Sequence, residues 1–256
     1  MFFRTINHRF GFGVAACALA LAILPLRTHA ETATALPAGR PIVDDDNIVD
    51  RLETVGGGLV REGKTTKVKV LRQQLSKRGK TALELPVLET PAPFQPSDIY
   101  ARRSTGVVVV GMLGKPKKSS RYEVAGSTGF ALTSDGIFAT NYHVIDDPNA
   151  EGLVVMTRDG VVTPVTEVLA ADKVADIAIL RAPGAIFQPL PLASEEAQPG
   201  SPIWVIAHPD HNFFSLTQGM VSRFFMANTE IGRTPQMAIT ADFRNLPPSV
   251  PAWWLQ

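Results

Sequence analysis

From residue 107 onward the sequence is cut into short β-rich runs by Asp-Gly pairs, and this punctuation constrains the fold more than any other feature. Val107 to Val110 is a β-branched run. Gly129 to Thr140 divides around Ser134-Asp135-Gly136, and the runs Leu153 to Thr157 and Val161 to Leu169 flank Arg158-Asp159-Gly160. Glycine accepts the positive φ that a tight turn requires, so Asp-Gly between β-rich runs predicts a hairpin. Ile177 to Leu180, Ile203 to Ala207 and Met220 to Phe225 continue the series. No long helical period occurs after residue 98, which predicts an all-β domain, a barrel or a sandwich.

The residues before this domain have a different texture. Arg4 and Arg9 precede a long apolar stretch from Phe10 to Leu26, and Thr28-His29-Ala30 offers small residues just before Glu31. This pattern predicts a signal peptide over residues 1–30. The apolar run is shorter than the roughly 20 residues a bilayer span needs, so no integral membrane segment is expected after cleavage. The expected location is periplasmic or extracellular, in a bacterium. The single cysteine, Cys17, ends a lipobox-like Val14-Ala15-Ala16-Cys17. Nine further largely apolar residues follow it where a lipoprotein turns polar, so anchoring at Cys17 is the less favoured alternative. A chain cleaved after Ala30 has no cysteine, and its fold must be held by its core alone.

Residues 31–98 are expected to form a mostly irregular N-terminal region and linker. Asp44-Asp45-Asp46 reads as a solvated turn, and Gly56-Gly57-Gly58 as a flexible joint rather than a phosphate loop, since no GK[ST] follows. Arg61 to Lys80 carries eight cations and one acid. Within it Val68, Leu71 and Leu75 predict a short amphipathic helix stopped at Gly79. Pro86, Pro91, Pro93 and Pro96 predict a stiff, extended linker. The net charge of +1 provides no global reason to expect nucleic acid as a partner.

Two residues in the β region invite chemistry. His143 lies among short apolar neighbours in "TNYHVIDD", and Asp176 lies hard against the buried run of "ADIAIL". A carboxylate brought toward a core needs a partner. A neutral histidine donating its Nδ1 proton would serve, leaving Nε2 as a base. A backbone N–H capped by the carboxylate would serve as well, and spacing alone does not decide between the two.

The stretches "STGFALTSDGIFATNYHVI", "DKVADIAIL", "PLPLASEEAQPGSPIWVIAHPD" and "SLTQGMVSRFF" resemble the trypsin-like serine peptidases, in particular the bacterial HtrA/Deg branch. The resemblance covers residues 99–243. It implies two packed six-stranded β-barrels, residues 99–195 and 196–243, the second incomplete, with the active site between them. It makes His143 the catalytic base and Asp176 its orienting acid, acting on protein or peptide substrates without a cofactor. Asp146 and Asp147 become bystanders in a turn. His208-Pro209-Asp210-His211 could suggest a metal site, but two histidines without a third ligand are a poor zinc signature. The stretch is expected to be second-barrel framework, with no metal.

The nucleophile is the difficulty. The family's G-[NSD]-S-G-[GA]-P element should follow the strand Met237 to Phe243, and "RNLPPSVPAWWLQ" stands there instead. No glycine occurs after Gly232. Ser249 is the one serine in this tail, and Pro248 before it removes an N–H near where an oxyanion donor is wanted. Ser249 is therefore only a weak candidate. The residues from Arg244 to Gln256 read as a divergent tail, more in keeping with a premature or frame-shifted end than with a purposeful replacement. Asp242 lies near the position that lines the primary specificity pocket in this family. The expected function is an exported serine endopeptidase of little or no activity, the alternative being a non-catalytic peptide-binding module.

Overall fold

The computed structural model describes residues 42–77, 85, 95–193, 195–229 and 231–241. Among them the chain is mostly β. Seven antiparallel strands form one sheet in the order β5-β4-β1-β2-β3-β7-β6. They are β1 (Val107–Gly114), β2 (Glu123–Ala131), β3 (Ile137–Thr140), β4 (Gly152–Met156), β5 (Val162–Pro164), β6 (Glu167–Asp172) and β7 (Ile177–Arg181). Both predicted Asp-Gly hairpin turns are present, with Gly136 and Gly160 at φ 95° and 85°. A side chain at Gly136 would stand 2.3 Å from the Ala182 carbonyl oxygen.

Chain connectivity dictates that this sheet curls. β5 and β6 are its opposite edges, yet only Val165 and Thr166 separate them. A flat sheet of this order would hold its edges about 29 Å apart, at about 4.8 Å per strand. Three Cα steps reach at most about 11 Å. The two linking residues bind opposite ends of the strand order: Val165 N–H donates to Leu153 O (3.0 Å) and Thr166 N–H to Arg181 O (3.1 Å). The edges therefore meet, and β5 with β6 acts as one bent strand of a barrel.

Strands β1 and β4 carry unbroken apolar runs because both of their faces are buried. Val108, Val110, Leu153 and Val155 point into a core with Phe138 and Leu180, while Val107, Val109, Val154 and Met156 join a second core with Leu52, Ile206, Phe213 and Phe214. The smaller sheet, β8 (Pro202–Ala207), β9 (Ser215–Thr229) and β10 (Gly232–Ala241), is ordered β10-β9-β8.

Within the N-terminal region, expected to be mostly irregular, several described stretches are helical. Helix α1 (Asp45–Arg51), a π-helical turn (Leu52–Gly56) and α2 (Gly57–Arg61) run on without a break, followed by α3 (Val68–Lys77). Asp44, expected in a solvated turn, is the N-cap of α1, accepting from Asn47 N–H at 3.0 Å. The glycine triplet is not a joint. A side chain at Gly56 would lie 2.8 Å from Leu113 Cδ1 and 3.2 Å from Val154 Cγ2, so glycine is what lets this helix press on the sheet. The amphipathic helix predicted around Leu71 is present, with Val68 and Leu71 buried and Leu75 packed on the same core. Pro96 begins helix α4 (Pro96–Arg103) rather than extending a linker, as suits proline at a first helical turn. The signal-peptide segment, Cys17, Gly79 and the prolines at 86, 91 and 93 lie outside the described residues.

Candidate active site

Sheet register brings the two predicted residues together. β3 and β7 pair antiparallel with Thr140 opposite Ala178, so the segment leaving β3 and the segment entering β7 lie at one end of the sheet. His143 opens the short helix α5 (His143–Asp146) just beyond β3, and Asp176 closes the turn just before β7. Asp176 takes a left-handed backbone with φ 56°, which aspartate tolerates better than most residues.

The Asp176 carboxylate grips the histidine twice. His143 N–H donates to its Oδ1 at 2.9 Å, and His143 Nδ1 lies 2.9 Å from its Oδ2. An ionised carboxylate only accepts, so Nδ1 carries the proton and the Nε2 lone pair is left free to accept one. The imidazole partner and the backbone cap that sequence left as alternatives are thus supplied by one carboxylate. The Asn141 side chain completes it, its Nδ2 donating to Asp176 O at 3.2 Å and Oδ2 at 3.0 Å. Burial by itself raises the Asp176 pKa, but the hydrogen bonds from the His143 ring and backbone, the histidine's charge and the Asn141 amide outweigh it. The carboxyl is held below its ordinary range. The His143 side chain is 54% exposed, so its imidazole is reachable from solvent.

Asn141 and Asp146 are the residues that sequence reasoning passed over. Asn141 stood within the T-N-x-H-V element, two residues before His143. Asp146 is not a turn bystander. Its carboxylate accepts from both Arg72 and Lys173, and these pull its pKa down, the Lys173 hydrogen bond most of all, with burial opposing. Asp147 does sit in a turn, accepting from Asn149 N–H at 2.8 Å.

The two histidines weighed as metal ligands have framework contacts. His208 is buried, its Nε2 donating to Val108 O at 3.1 Å and its Nδ1 accepting from Phe214 N–H at 2.9 Å. Neither nitrogen is left for a metal. Burial lowers its pKa to about 4, so it is neutral. His211 Nε2 accepts from Gly126 N–H at 3.3 Å, and the ring stacks on Phe213. Among the described residues no group of three or more His, Cys, Asp or Glu is placed to hold a metal. Asp242 and Ser249 lie outside the described residues.

The family model for the trypsin-like peptidase domain matches residues 127–247, a span that contains His143 and Asp176 and ends before Ser249. The match covers just under half of the chain, and over that span the His–Asp pair at neighbouring strand ends is similar to that of a trypsin-like peptidase domain. Mitochondrial serine protease HTRA2 from Bos taurus is 29% identical over 157 residues, which is 57% of this chain and 33% of that protein. The chain thus spans about a third of that relative's length. A solved structure described as HtrA-type protease AlgW with tripeptide is 20% identical, with a TM-score of 0.43, covering 53% of this chain and 42% of the other.

Proposed function

We propose that this chain is an exported relative of the HtrA-type serine endopeptidases whose base and orienting acid are assembled, and that it hydrolyses peptide bonds weakly or not at all. The observation that carries the first half is the double grip of Asp176 on His143, at 2.9 Å to the backbone N–H and 2.9 Å to Nδ1. In an active site of this kind His143 takes the proton of an attacking hydroxyl and returns it to the leaving amine, while Asp176 holds the tautomer and stabilises the imidazolium. Bound protein or peptide is the substrate class, and no cofactor enters the chemistry.

The second half rests on the tail. Arg244 to Gln256, where the resemblance places a G-x-S-G element, read RNLPPSVPAWWLQ, and losing the serine of a triad lowers turnover by about 10⁶. Ser249 follows a proline, which donates no N–H. If Asp242 lines the substrate cleft, a basic side chain is preferred there.

Labelling with a serine-reactive phosphonate, alongside hydrolysis of an unfolded protein, tests this reading. Wild type is expected to resist labelling and to match His143→Ala in hydrolysis. Stoichiometric labelling, or hydrolysis that His143→Ala abolishes, overturns the inactivity. Saturable binding of unfolded peptide without labelling is the outcome expected of a peptide-binding module. N-terminal sequencing of the mature chain tests export, with Glu31 as the expected first residue.

A further inference from the structure

The two segments that carry the His–Asp pair meet at a second place. Asp146 follows His143 by three residues, and Lys173 precedes Asp176 by three. Lys173 Nζ lies 3.0 Å from Asp146 Oδ2. The two contacts are therefore rungs of one antiparallel clamp between α5 and the 173–176 turn. The lysine ammonium also stands 5.5 Å from the centre of the Tyr142 ring, at the start of α5.

The other oxygen of Asp146 is held from a different part of the chain. Arg72 Nη1 of α3 donates to Asp146 Oδ1. α3 is a firm base for that contact. Its Val68 and Leu71 are in the barrel core, and its Gln74 bridges the start of β6, donating to Thr166 O at 3.0 Å and accepting from Val168 N–H at 2.9 Å.

We propose that Asp146 is a positioning residue for the His143–Asp176 pair: through Lys173 it fixes the turn that presents Asp176, and through Arg72 it gives the N-terminal helix α3 a hold on the helix that carries His143. This rests on reading His143 as a base oriented by Asp176. A four-residue helix has too few internal hydrogen bonds to orient itself, and with one rung α5 can swivel about the His143–Asp176 contact. The side chains concerned are partly exposed, from 27% for Asp146 to 54% for Lys173, so the pairs add little to global stability. Geometry is their larger effect, since displacing a catalytic group by about 1 Å can slow a reaction about 10²-fold.

The neutral tautomer of His143 reports this positioning without any need for turnover. Histidine ¹⁵N correlation spectra of the whole chain, at a pH where imidazole is neutral, are assigned by the signal lost in His143→Gln. Wild type is expected to show the Nδ1-protonated form, and Asp176→Asn to lose it. Asp146→Asn and Lys173→Gln are expected to turn His143 into a mixture dominated by the Nε2-protonated form, while Lys173→Arg keeps the wild-type signal and Arg72→Gln shifts it part way. Should Asp146→Asn fail to fold, Lys173→Gln and Arg72→Gln decide the matter, because both alter partly exposed side chains. Wild-type tautomer in both Lys173→Gln and Arg72→Gln, with Asp176→Asn altered, overturns the positioning role, even if thermal stability falls. An unaltered Asp176→Asn spectrum overturns instead the reading of the His–Asp pair, and the clamp with it.

Discussion

The seven-stranded and three-stranded sheets are made of similar residues but are buried very differently. In the larger sheet β1 and β4 are buried on both faces, because the curl closes a core inside and the N-terminal helices and the 208–214 loop cover the outside. In the smaller sheet the buried apolar cluster is Ile203, Val205, Ala207 and Val221, and Leu216, Met220, Phe224 and Met226 of β9 are exposed. A strand's stability thus depends less on its own composition than on how many faces find cover. His143 and Asp176 stand on segments that flank β3 and β7 of the well-covered sheet.

The largest expected effect breaks that comparison directly. Phe138 is fully buried in the barrel, edge-on to Phe187 at 5.9 Å, and Phe138→Ala should cost about 3–5 kcal/mol in urea unfolding. A loss under 1 kcal/mol, on the scale of an ordinary surface change, would mean the barrel core is not the main source of stability.

Next comes pH. His208 at the junction of the sheets has its pKa lowered from 6.5 to about 4 by burial. Above pH 6.5 it is neutral in both folded and unfolded chains and adds no pH dependence. Between 6.5 and about 4 the unfolded chain binds a proton that the folded one does not, so stability falls as pH falls through this window and levels off below it. At about 1.4 kcal/mol per unit the full loss is roughly 3 kcal/mol. Urea midpoints across this range should flatten in His208→Gln; a slope unchanged by that substitution would assign the effect elsewhere. Asp176, held below its ordinary 3.8, loses its contribution in a separate, lower window.

Gly56→Ala should cost about 1–3 kcal/mol by overpacking, since the added methyl would meet Leu113 and Val154. A neutral result would detach the N-terminal helices from the barrel's stability. Smallest is Phe224→Ser on the open face of β9, 42% exposed, expected within about 0.5 kcal/mol of wild type.

Much of this architecture was legible in the sequence where the signal is local. The Asp-Gly turns at Gly136 and Gly160 announce themselves because a positive φ has few other owners, and His143 and Asp176 stand in motifs of adjacent residues. Gly56 to Gly58 looked like a joint, because close approach to Leu113 and Val154 is a property of a surface some fifty and a hundred positions away in the chain. Asp146 looked idle for the same reason, its partners Arg72 and Lys173 being brought to it by the fold. The helices from Asp45 to Arg61 were missed because Gly56, Gly57 and Gly58 interrupt the helical spacing of Ile48, Leu52 and Leu59. Burial of His208 left no mark in its immediate neighbours.

The 208–214 loop also determines how the molecule fails under load. It packs on the outer face of the barrel through His208, His211, Phe213 and Phe214, with Phe213 N–H held by Asp45 at 3.0 Å. Asp210, His211 and Phe214 take left-handed backbones there, each a strain of about 1–3 kcal/mol that only surrounding contacts sustain. A force drawing on the end of β10 would part the hairpin ladders of β10, β9 and β8 rung by rung, at low tension. At residue 214 the pull would meet several side chains seated together, which must leave at once. The extension trace should show a soft unzipping and then one sharp rupture, with the His143–Asp176 pair still intact until that rupture.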